Sequence, residues 1–263
     1  MRLTLLVPEL IWPEPADRIA LGEQPTAGFS WLEARARLAR QPRQPFERAL
    51  SRLFKPDLTA LAPLRLLGES SGEAARDGHW LCADPVHLRF HQERIILADA
   101  GAFDLENAEA EALVASLNGE FADIGQFHLA TARRWYLRLN SPIDHAVEPL
   151  SAVAGRLVDG ELSDKNSPLT RWLNEVQMFL HGHPVNERRQ AEGKPAVNSV
   201  WLWGGGPLPE VPAPGFSAVC SDNPLATGLA LAAGGVVMWM LLHMTRMLKV
   251  LQRAAQQPVG SVA

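Results

Sequence analysis

Between residues 80 and 233 short apolar runs alternate with helical patterns, and that alternation most limits what the chain can become. Trp80–Cys82 and Val86–Phe90 read as strands on either side of an Asp84-Pro85 turn, and Arg94–Ala98 as the next strand. Leu105–Phe121 carries Leu113, Leu117 and Phe121 at helical spacing, with acidic residues early in it. Phe127–Leu129 and Trp135–Leu139 are strand-like, and Ser167–Leu180 reads as a helix opened by a capping serine and a proline. Asn198–Trp203 is a strand that runs into Gly204, Gly205 and Gly206. Ser217–Cys220 is another, and Asp222-Asn223-Pro224 opens a helix reaching Ala233. The pattern predicts an α/β fold: a mixed, partly parallel sheet with flanking helices.

The flanks are less regular. Leu3–Val7 is an apolar run stopped by Pro8 and suggests a buried strand near the start of a sheet. Residues 11–28 are proline-rich. Ser30–Arg40 suits a helix capped by Ser30, and Pro45–Phe54 a second with Phe46, Leu50, Leu53 and Phe54 on one face. Leu64–Asp77 reads as a polar, glycine-containing link, so the chain divides into 1–75, 76–234 and 235–263. Leu225–Leu242 is almost entirely apolar and just long enough to span a bilayer. Gly228, Gly234 and Gly235 within it, and the capped start before it, favour a globular helix instead. The tail reads as an amphipathic helix whose stripe runs from Val237 through Met240, Met244 and Leu248 to Leu251. That stripe suits packing on the core, pairing two copies into a homo-oligomer, or resting on a membrane.

Bulk properties exclude some classes. A net charge of −4 gives no case for nucleic acid. The local basic group of Arg35, Arg37, Arg40, Arg43, Arg48 and Arg52 reads as a solvated helix face. Two cysteines, Cys82 and Cys220, make neither a disulfide framework nor a metal spacing, which fits a reducing compartment. The first apolar run is too short for a signal peptide, so the cytoplasm is the expected location.

The unusual polar stretch is Leu173–Arg189. On a helix Asn174, Gln177 and His181 share a face, and such a stripe is costly if buried without partners. His181 and His183 flank one glycine, but Pro184 interrupts the helix and no H-E-x-x-H pattern is present, so no metal site is expected. Two readings of the rest stand side by side. His183 and Asn186 cap a turn and tie it to the strand at Asn198, or Asn186, Arg188, Arg189 and Asn198 line a cleft for an anionic or polar ligand. Gly204–Gly206 permit positive φ and close backbone approach at a strand end. Pro207 and Pro209 follow them, which matches neither the dinucleotide nor the P-loop spacing. Trp201 and Trp203 share a strand face and read as core. No Gly-x-Ser-x-Gly occurs.

His183-Pro-Val-Asn186-x-x-Arg189-x-x-x-Gly193-x-Pro195-x-x-Asn198, followed by Trp201-Leu-Trp203-Gly-Gly-Gly206, resembles two related groups. One is the proteobacterial RpfE-type regulatory family, often labelled phosphoglycerate mutase. That resemblance also takes in Ala83–Arg89, Arg134–Arg138, Leu173–Met178 and Ser221–Ala226. The other, more distant, is the archaeal-type cofactor-independent phosphoglycerate mutase, in which the matching region is the domain inserted into an alkaline-phosphatase-like core. The resemblance implies a scaffold for a phosphorylated ligand, with His181, His183, Asn186, Arg189, Asn198 and Gly204–Gly206 as its tentative binding residues, and residues 1–75 as a reduced remnant of the core. The core's motifs are not matched. Leu5-Leu-Val-Pro8 is followed by Glu9-Leu10 where the mutase strand ends in Asp-Gly, and neither a hydroxyl nucleophile motif nor the H-x-G-D metal motif is found. Without two metals, that kind of phosphoryl transfer loses its nucleophile activation. The expectation is therefore a non-catalytic regulatory or ligand-binding protein with no cofactor. An enzyme acting on phosphorylated molecules, and an interaction module using the tail, are the alternatives. Beyond Gly234 the resemblance stops, and 235–263 reads as a divergent tail.

Overall fold

A computed structural model describes residues 4–7, 34, 35, 37, 39, 42, 44–70, 72–91, 94–143, 147–158, 168–215 and 217–238. The helix expected over Ser30–Arg40 and the stripe beyond Met238 lie largely or wholly outside them.

The organising element is a long strand, β1 (His79–His91). Along one edge its first half pairs with β4 (Arg134–Leu139) and its second half with β2 (Arg94–Asp99). Along the other edge it pairs with β5 (Ser199–Gly206), and β3 (Gly125–Thr131) extends the sheet beyond β4. All these pairings are antiparallel. The only parallel pair among the described strands is a separate one, β6 (Ala218–Cys220) with β7 (Val236–Met238). The α/β class and flanking helices hold, while parallel pairing is confined to this small second sheet. Asp84-Pro85, expected as a turn, lies inside β1: Cys82 faces Tyr136 of β4, and Val86 faces Asp99 of β2. The proline, which has no N–H for a ladder, sits where the strand changes partners.

Even-numbered β1 residues face one layer and odd-numbered ones the other. Trp80, Cys82, Val86 and Leu88 join Tyr136, Trp201 and Trp203 under α1 (Phe46–Ser51), α2 (Leu61–Leu67), α4 (Leu150–Val153) and α7 (Pro224–Ala232). Leu81 and Ala83 join Phe127, Trp135, Leu137, Val200 and Leu202 under α3 (Asn107–Glu120), α5 (Pro168–His181) and α6 (Pro184–Ala191). The result is three layers with a core on each side of the sheet.

Leu64–Asp77 is not a link throughout. Its first four residues complete α2, whose seven residues are all buried, and a 3-10 turn covers Gly72–Arg76. α2 and α7 touch backbone to backbone, since a Cβ on Gly228 would lie 1.6 Å from the Leu64 carbonyl oxygen. Residues 4–7 pair with no strand, and Leu5, Leu6 and Val7 are exposed, so the buried strand expected there is not formed. Apolar residues adopt a strand only where a sheet offers them an edge to pair with. Asn223 caps α7 by accepting from the Leu225 and Ala226 N–H groups. α7 ends at Ala232, and Gly234 at φ +68° turns the chain back into β7. Val237, expected on the helical stripe, is thus in a strand, and no helix among the described residues is long and apolar enough to cross a membrane.

Candidate functional site

α5, α6 and the run into β5 form one tied corner. The imidazole of His183 caps α6, its Nδ1 accepting from Val185 N–H at 3.2 Å. Nδ1 is therefore the unprotonated nitrogen, and Nε2–H donates to Ser116 Oγ at 2.9 Å. In that tautomer His183 is a donor to the serine rather than its general base. Burial also lowers the imidazole's pKa and keeps it neutral. Asn186 is fully buried. Its Nδ2 donates to the carbonyls of Leu180 and Val197, and its Oδ1 accepts from Val197 N–H. Arg189, 1% exposed, donates to Pro195 O, to Asp104 O and to the Glu109 carboxylate at 2.6 Å, which binds α6 to the start of α3. Asn198 makes the same two-bond ring on β1, accepting from Leu88 N–H and donating to Leu88 O. Every one of these side chains is engaged within the chain. The stripe of Asn174, Gln177 and His181 escapes the cost of burial: Asn174 and His181 face solvent, and Gln177 is half-buried.

Gly204–Gly206 are placed differently. Gly204 at φ +66° and Gly206 at φ +146° adopt backbone that other residues avoid, and a Cβ on Gly206 would lie 2.7 Å from the Ala60 Cβ. They border an open cavity of about 800 Å³ into which Arg48, Arg52, His79 and Glu148 also project. Arg48 is paired with Glu148 at 2.6 Å, and Arg52 bonds the neutral Gln44 carboxamide. A second cavity of about 560 Å³, lined by Gln126, Arg138 and Asn140, shares His79 and Pro142 with the first. Of the residues singled out from the sequence, the structure thus separates two sets. His183, Asn186, Arg189 and Asn198 form the tied corner, and the three glycines border open space. Among the described residues no three His, Cys, Asp or Glu side chains gather as metal ligands.

Behind the glycines lies a buried cluster that the sequence reading missed. The Arg65 guanidinium donates to both Asp84 oxygens at 2.7 and 2.8 Å and to Tyr136 Oη at 2.9 Å. It lies 4.6 Å from the Tyr136 ring and 5.0 Å from the Trp203 ring. Trp203 Nε1–H donates to Asp84, and Tyr136 O–H donates to Glu69, which also pairs with Arg134. Burial alone would lower the Arg65 pKa, but Asp84 together with Cys82 and Tyr136 more than offsets it, and the guanidinium stays charged. Burial pushes the neighbouring Cys82 thiol well up, so it stays protonated and unreactive. The available signal was one charge inside each of two apolar runs, Leu61–Leu67 and Trp80–Val86, since a buried charge needs a partner.

No family model matches the chain. It is 30% identical over 153 residues to the 2,3-bisphosphoglycerate-independent phosphoglycerate mutase 2 of Methanothermobacter thermautotrophicus, covering 55% of this chain and 38% of that protein. Against the probable enzyme of the same kind from Geobacter sulfurreducens it is 28% identical over 189 residues, covering 64% of this chain and 46% of the relative. The chain spans less than half the length of these curated relatives. The solved cofactor-independent phosphoglycerate mutase of Thermoplasma acidophilum superposes with a TM-score of 0.40 at 16% identity, over 82% of this chain and 63% of that one. The chain is distantly similar to cofactor-independent phosphoglycerate mutases.

Proposed function

We propose that this chain is a non-catalytic ligand-binding protein on a mutase-like scaffold, taking a phosphorylated or anionic small molecule in the cavity beside Gly204–Gly206. One observation carries the reading: the polar residues of the shared motif are spent on internal ties, while the open polar surface collects around the β5 glycines. With no side chains of their own, the three glycines leave main-chain groups in the cavity wall. Arg52, whose guanidinium bonds the neutral Gln44 carboxamide, supplies positive charge there. The relatives' name supplies the first candidate, a phosphoglycerate. A regulatory role, of the kind the RpfE-type resemblance implies, would follow if binding altered what the protein contacts.

Calorimetric titration with 3-phosphoglycerate tests this, alongside a mutase assay with manganese. Saturable binding without turnover, weakened by Arg52→Ala, is the expected result. Turnover above the uncatalysed rate would remove the non-catalytic half of the proposal. Failure of 3-phosphoglycerate and of simpler phosphate compounds to bind would remove the other half.

A further inference from the structure

The two cavities share His79 and Pro142 in their walls, and each has an arginine in its lining. Arg52 stands at the first, beside the Arg48–Glu148 pair. Arg138 stands at the second, fixed from two sides. Its guanidinium pairs with Asp77 at 2.6 Å, and a Cβ on Gly78 would lie 2.7 Å from its Nε, so the arginine stem lies across a glycine. His79 lines both cavities. We propose that the groove takes a small molecule with two anionic groups joined by a spacer, one group meeting Arg52 and the glycine backbone and the other meeting Arg138. This rests on the ligand-binding reading above and extends it to a molecule longer than a three-carbon phosphorylated acid.

Size and charge support the length. Small-molecule sites commonly measure about 300–1,000 Å³, so the first cavity alone holds a compact ligand and the second is surplus to it. At the first cavity Arg48 and Arg52 are equalled in number by Asp57 and Glu148, so Arg52 acts there as a local charge beside the glycine backbone and not through a net positive field. Asp57 and Glu148 border the first cavity, and Glu148 is taken up by Arg48. Asp77 opposes Arg138, yet both members of that pair are substantially exposed, at 43% and 87% of their side chains. An exposed ion pair is worth at most about 1 kcal/mol, so a ligand phosphate, which takes an arginine in a bidentate manner, can displace the carboxylate. Gln126 and Asn140 line the same end and offer further polar groups.

The test is a calorimetric series with the full chain: α,ω-alkane bisphosphonates of increasing length, and methylphosphonate as the single-anion control. The expected result is an affinity that peaks at one intermediate length, roughly tenfold or more above methylphosphonate, as a charge-assisted contact supplies. Arg138→Gln flattens the series to the methylphosphonate level, and Arg52→Ala weakens methylphosphonate itself. A flat series in the wild-type chain, with methylphosphonate still bound, overturns the two-anion proposal and leaves the simpler binding site standing. Loss of the peak in Arg138→Gln through unfolding is distinguished by circular dichroism and by Asp77→Asn, which frees Arg138 and is expected to raise the peak. A peak that Asp77→Asn lowers in a folded protein counts against the assignment. If methylphosphonate and the bisphosphonates all fail to bind, the ligand-binding reading fails as well.

Discussion

Arg65 on α2 and Asp84 on β1 meet through two hydrogen bonds of 2.7 and 2.8 Å, and neither side chain is more than 9% exposed. Removing one partner leaves the other charge buried and unpaired, which typically costs about 3–5 kcal/mol. Asp84→Ala is therefore expected to unfold at much lower urea. The double variant Arg65→Met with Asp84→Leu recovers a large part of that loss, because the cost lies in the orphaned charge. Urea denaturation of the two single variants and the double variant checks this.

Three asparagines grip backbone in the same way. Asn118 holds Phe127, Asn186 holds Val197 and Asn198 holds Leu88, each accepting from the N–H and donating to the C=O of one residue. Aspartate keeps the acceptor and sets a carboxylate against a carbonyl. Asn186→Asp and Asn198→Asp are each expected to cost about 1–3 kcal/mol, with Asn186 at the upper end because it is fully buried. Chemical denaturation of both variants ranks them; equal stability to wild type would contradict the role assigned here.

The contact between α2 and α7 predicts a strong size effect. Gly228→Ala forces the helices apart against the Leu64 carbonyl and is expected to lose about 1–3 kcal/mol or more. Gly119, on α3, has nothing within 4 Å of a built Cβ, so Gly119→Ala is expected to gain about 0.5–1 kcal/mol from helix propensity. Thermal melts of the pair should move in opposite directions.

Much of this architecture was legible in the sequence and some was not, for physical reasons. α3, α5 and α7 announced themselves through helical spacing and caps, and β3 and β4 through β-prone runs. α2 gave no amphipathic signal because all seven of its residues are buried. Asp84-Pro85 looks like a turn locally, and only the change of partner from β4 to β2 explains a proline there. Which strands pair in parallel is not legible, because the order of strands and helices does not encode it. At the candidate site the sequence brought forward His183, Asn186, Arg189 and Asn198 through their polarity. It could not show that each would find its bonds inside the chain. Arg52, His79 and Arg138 are far apart in sequence and come to line neighbouring cavities only through the fold.

Acidity should act through two histidines. Burial lowers the pKa of His128 and of His183 below the ordinary 6.5. The unfolded chain takes up protons near that pH which the native chain refuses. Their contribution is complete above pH 6.5 and is lost as pH falls through it toward the folded values. Glu47, whose carboxyl burial raises, works in the opposite sense from pH 4.5 upward. Urea midpoints are expected to fall between about pH 8 and pH 5.5, and His183→Gln is expected to lessen that fall.

The way β1 is shared has a kinetic consequence. Asp84 and the Trp203 indole that bonds it are 119 residues apart, and β5 reaches β1 only after α3, β3, β4, α5 and α6 have been made. Until then Trp80, Cys82 and Ala83 lack the strand that covers them along that edge. Contacts of such long sequence separation slow folding, because loop entropy is lost before they form. A ribosome-bound chain halted ahead of Ser199 would hold the two hairpins of β1–β2 and β3–β4 with the β5-facing edge of β1 still open. Completion of β5 is then the step that closes this edge of β1 to pairing with other unfinished chains.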